Sequence, residues 1–169
     1  MTSTITFWLH IVAATAWVGP QLFLVLVIPA LRVLEPPARA RALRVLTQRF
    51  GWLGGAALVV LVLSGISNLF QRIDDGFDVF NPDLRYLWIF VTKMSLLGLA
   101  VILTALHSFV VGPRQLRLME ASAGGPPSPE LARVRRATML LSALVLLASL
   151  GILFAAALLA NHAFSFQPV

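Results

Sequence analysis

Apolar residues run along this chain in four long blocks separated by short charged stretches. The blocks cover residues 5–31, 50–70, 86–111 and 137–161, each at or above the ~20 residues a helix needs to cross the hydrocarbon core of a bilayer. No Asp, Glu, Lys or Arg interrupts residues 50–71 or 137–162. A helix of a soluble bundle carries a polar stripe on its solvent face, and these two carry none. The pattern predicts an all-α fold, an integral membrane four-helix bundle, in which residues 1–169 form a single transmembrane domain.

The charged stretches orient the bundle. Arg32, Arg39, Arg41, Arg44 and Arg49 fill the first loop, and Arg114, Arg117, Arg133, Arg135 and Arg136 fill the third. The second loop carries Asp74, Asp75, Asp78 and Asp83 against Arg72 and Arg85, so ten of the twelve arginines lie on one side. Basic loops stay in the cytoplasm, which predicts an N-out, C-out protein of a bacterial-type inner membrane. Pro29, Pro36 and Pro37 end the first span, Asn81-Pro82 precedes the third, and Gly112-Pro113 closes it. The Gly-, Pro- and Ser-rich stretch 121–129 reads as a flexible cytoplasmic tip. The first apolar run has no basic segment before it and no A-x-A site after it, so it reads as a span and not as a removable signal.

Composition agrees with lipid as the main solvent: 59% of residues are hydrophobic, 12% are charged, and the mean hydropathy is +0.88. The net charge of +6 does not imply nucleic acid, because the arginines fall between apolar runs and do not interleave with aromatics on a polar surface. The absence of cysteine excludes disulfides, thiolate metal sites, iron–sulfur clusters and covalently attached haem. No phosphate-binding or zinc-hydrolase motif is present, and no nucleophile–base–acid set is visible.

Ionisable residues inside a span are costly and mark candidate sites. They are His10, Lys93 and His107, with His162 at a boundary. On the first span Thr6, His10, Trp17 and Gln21 share one face at ~100° per residue, the face expected to line the bundle interior. Lys93, the one lysine of the chain, lies about 10 Å into the third span, where it either snorkels to the interface or serves a site. His107 follows 14 residues later, on the same face within about 40° and about 21 Å further along. Small residues line one face of the second span (Gly51, Gly54, Gly65 with Asn68) and of the fourth (Ala148, Gly151, Ala155 towards His162). Such strips permit close helix packing, within the bundle or in a homodimer, or leave room for a flat cofactor.

By depth these residues form an outer cluster of His10, Lys93 and His162, near Asn68 and Trp88, and an inner cluster of His107 with Arg32, Arg49 and Arg114. Paired histidines on facing helices hold b-type haem, and interfacial arginines such as Arg49 and Arg114 suit its propionates. His10, His107 and His162 are thus candidate ligands of haem b or, alternatively, of copper. A Cu(I) site asks for Cys or clustered Met, whereas Met1, Met94, Met119 and Met139 are scattered. A Cu(II) site would draw on His10, His162 and the N-terminal amine. A third reading is a structural subunit whose polar residues only tie helices together.

The segment His10-Ile-Val-Ala-Ala-Thr-Ala-Trp17-Val-Gly19 resembles the first helix of two related families of small membrane proteins, the copper resistance protein D (CopD) family and the HemJ-type protoporphyrinogen oxidases. Lys93 followed by His107 looks like the second half of the HemJ pattern. The HemJ resemblance implies a haem b protein, a membrane oxidoreductase that oxidises a porphyrinogen or passes electrons between porphyrin or quinone-like partners. It makes His10 a haem ligand or catalytic-site residue beside Trp17, Lys93 a substrate or propionate partner, and His107 a second essential histidine. The run Gly19-Pro20-Gln21-Leu22-Phe23 departs from HemJ, in which an arginine follows soon after the glycine; here none appears until Arg32. The CopD resemblance implies copper uptake across the inner membrane.

Overall fold

The computed structural model describes residues 2–122 and 128–169. The chain forms α1 (Thr2–Ala30), α2 (Pro36–Asp74), α3 (Arg85–Ala105), α4 (Gly112–Ala121), α5 (Pro129–Ala160) and a short α6 (His162–Ser165). A π-helical turn, Leu106–Val111, joins α3 to α4 in one continuous rod. Four helical stretches are long and apolar enough to cross a bilayer: Thr4–Val33, Pro36–Asp74, Arg85–Ala121 and Pro129–Ala160. The protein is an all-α, multi-pass membrane protein. The stretch 121–129, read as a flexible tip, lies mostly outside the described residues.

The helices overrun the predicted spans at the arginine-rich end. α2 has 39 residues, so at ~1.5 Å per residue it is almost twice as long as the ~30 Å hydrocarbon core is thick. Arg39, Arg41, Arg44 and Arg49 therefore stand on helix and not in a loop. Pro36 and Pro37 occupy its first turn, where a missing N–H costs nothing, and the Ala-, Arg- and Leu-rich run behind them has high helix propensity. Gly112-Pro113 likewise does not close the third helix. The Gly112 N–H reaches the His107 carbonyl across the π turn, and Pro113 falls in the first turn of α4, where it needs no donor. A Cβ on residue 112 would lie 2.8 Å from that carbonyl oxygen, so the turn requires glycine.

Two hairpins make the bundle: α1 packs along α2 and α3 along α5, and the hairpins meet where α1 crosses α5. Their junction holds a small core of Trp17, Val18, Ala57 and Val145, with Ala16, Leu58, Leu61 and Leu103 against it. Most large apolar side chains point outward, Trp52 being 84% and Phe109 81% exposed, as expected of a surface solvated by lipid. Pro20 lies inside α1 and gives the helix no N–H, and beside it the Gln21 side-chain amide donates to the Trp17 carbonyl at 3.0 Å.

The start of α1 and the C-terminal tail lie at the end opposite the arginine-rich turns, beside Arg72 and Arg85. Gln71 near the end of α2 donates to Thr6 Oγ1 at 3.1 Å, and the chain then turns through Gly76, whose φ of 83° permits the Gly76 N–H···Ile73 and Phe77 N–H···Arg72 bonds that close the helix. The C-terminal tail pairs with the start of α3, Arg85 N–H to the Gln167 carbonyl and Val169 N–H to the Asp83 carbonyl, both 3.0 Å. Phe77, His162, Phe166 and Tyr86 stack over this end with ring centroids 4.9–5.8 Å apart. At the other end Arg44 pairs with Glu120 and Arg114 with Glu130, tying α4 to α2 and α5.

Candidate functional site

The face of α1 that carries Thr6, His10, Trp17 and Gln21 turns inward and meets α2 and α5. His10 is half-buried, and its Nδ1 lies 2.9 Å from Ser64 Oγ on α2. The next residue, Gly65, makes room for the ring: a Cβ there would stand 3.3 Å from His10 Cε1. Lys93, half-buried on α3, lies within electrostatic reach of this imidazole. Of the outer cluster read from the sequence, His10 finds its hydrogen-bond partner in Ser64, a residue that reading did not include.

Two turns further into the bundle, the Trp17 indole lies against Gly54, where a Cβ would meet the ring at 3.6 Å. Its Nε1–H donates to Ser149 Oγ on α5 at 3.1 Å. Gln21 Nε2 donates to the same oxygen at 3.2 Å, while the Ser149 hydroxyl sits 2.8 Å from the Val145 carbonyl. Ser149 is only 1% exposed, so this knot holds α1 on α5 without water. A satisfied polar knot of this kind fixes how two helices cross.

His107 lies in the π turn, and its Nδ1 is buried with no hydrogen-bond partner among the described residues. Thr104 Oγ1, one turn earlier on the same helix, is buried and unpartnered as well. Buried polar atoms without partners are uncommon and costly, and π turns recur at functional sites. Arg49 is exposed on α2, and Arg114 is engaged with Glu130 at 2.6 Å. His162 is exposed at the termini end, edge-on to Phe77 and Phe166. No three His, Asp or Glu side chains gather into a metal-sized cluster among the described residues. The N-terminal amine invoked for a Cu(II) site lies outside those residues.

The small-residue strips are largely filled by the chain's own side chains. His10 covers Gly65, Trp17 covers Gly54, and Leu96 covers Gly151, where a Cβ would stand 3.1 Å from Leu96 Cδ1. An apolar groove of about 370 Å³ remains beside Gly151 and Ala155, between Trp88 and Phe154, with no histidine in its lining.

With this geometry in view, the family model of copper resistance protein D matches residues 44–159. This chain belongs to the copper resistance protein D family. The matched segment begins within α2 and holds Ser64, Lys93, His107 and Ser149, whereas α1 with His10 and Trp17 precedes it. A protein of Aquifex aeolicus (strain VF5), described as uncharacterized, is 31% identical over 109 residues, which cover 64% of this chain and 69% of that protein. No solved structure matches.

Ser64 and Ser149, the two hydroxyls that organise the CopD-family bundle around His10 and Trp17, are absent from the sequence-derived candidates. Each sits beside a small residue, Gly65 or Ala148, on a face that reads as packing surface. The available signal was a hydroxyl beside a small residue, and Ser67 and Ser142 on the same two helices carry hydroxyls as well.

Proposed function

We propose that this member of the copper resistance protein D family passes copper through the membrane along the polar face between its hairpins, with His10 as the residue that receives the ion. Family membership supports copper as the cargo. The observation that carries the reading is the half-buried His10 imidazole, whose Nδ1 meets Ser64 Oγ and whose Nε2 has no side-chain hydrogen-bond partner among the described residues. A neutral imidazole is a good copper ligand, and the chain has no thiol to compete with it. A sparse donor set suits transit, because a conducted ion must bind well enough to enter and weakly enough to leave.

Lys93 sits where its charge tunes the affinity of the His10 station. His107, about 21 Å of helix rise beyond Lys93 on the same rod, offers a second station with a buried ring nitrogen. Trp17, Gln21 and Ser149 lie between them. The arginine excess supports a topology with the α4 end in the cytoplasm and both termini outside, which suits copper uptake across a bacterial-type inner membrane.

The haem b reading, with a porphyrin or quinone-like partner, rests on the HemJ resemblance, and one experiment separates it from copper. Detergent-purified protein is loaded with Cu(I) under anaerobic conditions, then assayed for copper by elemental analysis and for haem by the pyridine haemochrome. The expected result is bound copper that is lost in His10→Ala. Stoichiometric b-type haem without copper would overturn the proposal, and copper unchanged in His10→Ala would remove His10 from it.

A further inference from the structure

We infer that Ser64 is a positioning residue: it holds His10 in the tautomer with the proton on Nδ1, leaving Nε2 as the bare nitrogen that meets the ion. The second clause rests on the copper reading above; the first stands on hydrogen-bond geometry alone.

A serine hydroxyl has one proton and two lone pairs. Ser64 Oγ lies 2.5 Å from the Val60 carbonyl, one turn back on α2, and 3.4 Å from the Leu61 carbonyl. At those distances its proton is committed to Val60, the back-bonding usual for serine in a membrane helix. The hydroxyl therefore turns lone pairs towards His10 Nδ1 at 2.9 Å. A bare Nδ1 would set lone pair against lone pair, so the proton of this contact comes from the imidazole.

Burial strengthens the preference. Ser64 is 6% exposed, so water does not readily compete for its hydroxyl. Gly65 keeps the ring close to α2, with a notional Cβ 3.3 Å from Cε1, the carbon between the two nitrogens. Adjacent residues of one helix thus supply an acceptor for one nitrogen and space for the ring edge. Metal-binding histidines are generally oriented in this way, by donating the second N–H to a protein acceptor.

The test uses the full-length protein in detergent, labelled with ¹⁵N-histidine, with the His10 signals assigned by their loss in His10→Gln. Wild type is expected to show a protonated Nδ1 and a bare Nε2. Ser64→Ala is expected to shift His10 to the Nε2–H form favoured by free imidazole and to weaken Cu(I) binding about tenfold. Ser64→Thr, which keeps a hydroxyl able to back-bond to Val60, is expected to retain both properties. Circular dichroism on each variant checks that the helices are intact. A wild-type His10 protonated on Nε2, or a tautomer unmoved in folded Ser64→Ala, would overturn the inference. Tautomers that behave as stated in a wild-type protein that binds no copper would uphold Ser64's role and overturn the copper reading instead.

Discussion

At the scale of single residues, the polar groups in the bundle are of two kinds, those whose hydrogen bonds are closed and those left open. Trp17 and Ser149 belong to the first. Trp17→Phe keeps a ring against Gly54 but removes one of the two N–H donors to Ser149 Oγ, leaving the Gln21 amide, and a cost of about 1 kcal/mol in thermal or denaturant unfolding is expected. His10 and His107 belong to the second kind, each with a ring nitrogen that no described protein group engages in a hydrogen bond. On the copper proposal the Lys93 ammonium opposes a cation held at His10, so Lys93→Met is expected to raise Cu(I) affinity about tenfold in a competition titration. An unchanged affinity would show that the ammonium does not act on the bound ion. The inward face of α1 was legible in the sequence because Thr6, His10, Trp17 and Gln21 repeat at helical spacing within an otherwise apolar run. Ser64 and Ser149 were not, because nothing in the pattern separates a hydroxyl that orients a partner from one that bonds only to its own helix.

At the scale of elements, the places where the helices run past the predicted spans, on α2, through Gly112-Pro113 and at the start of α5, have the same origin. Hydropathy counts residues that lipid can solvate, whereas a helix continues for as long as its backbone hydrogen bonds are met. α2 therefore runs out past the bilayer on arginine-rich turns, and the third span continues through Gly112-Pro113 by adopting a π turn. That turn exists because residue 112 has no Cβ. Gly112→Ala places a methyl 2.8 Å from the His107 carbonyl, too close for either group to remain in place. The expected outcome is a protein destabilised by about 1–3 kcal/mol, with displaced backbone signals from His107 to Gly112. A variant with wild-type stability and signals would show that the π turn does not depend on the glycine. His107 would be re-aimed with the turn, so His10→Ala and Gly112→Ala should both impair copper passage, though only the first removes a ligand.

At the scale of the whole molecule, the bundle is two hairpins joined by a narrow contact, with a small core at the junction and a polar face running beside it. The termini end is closed by the pairing of residues 83–85 with 167–169 and by the ring stack over it. The opposite end is held by exposed ion pairs, which contribute little each. Fold class, span number and charge asymmetry were legible in the sequence because the bilayer imposes them on composition. The site was legible only in part. Its histidines stood out as ionisable groups in apolar runs, but which of them meet depends on how the hairpins cross, and that is set by the knot at Trp17, Gln21 and Ser149. Copper flux into proteoliposomes tests the central claim most directly, comparing wild type with His10→Ala and with Arg49→Ala, a change at an exposed site off the polar face. The account predicts flux in wild type and Arg49→Ala and a loss of about tenfold or more in His10→Ala; equal flux in all three, or none in wild type, would contradict it.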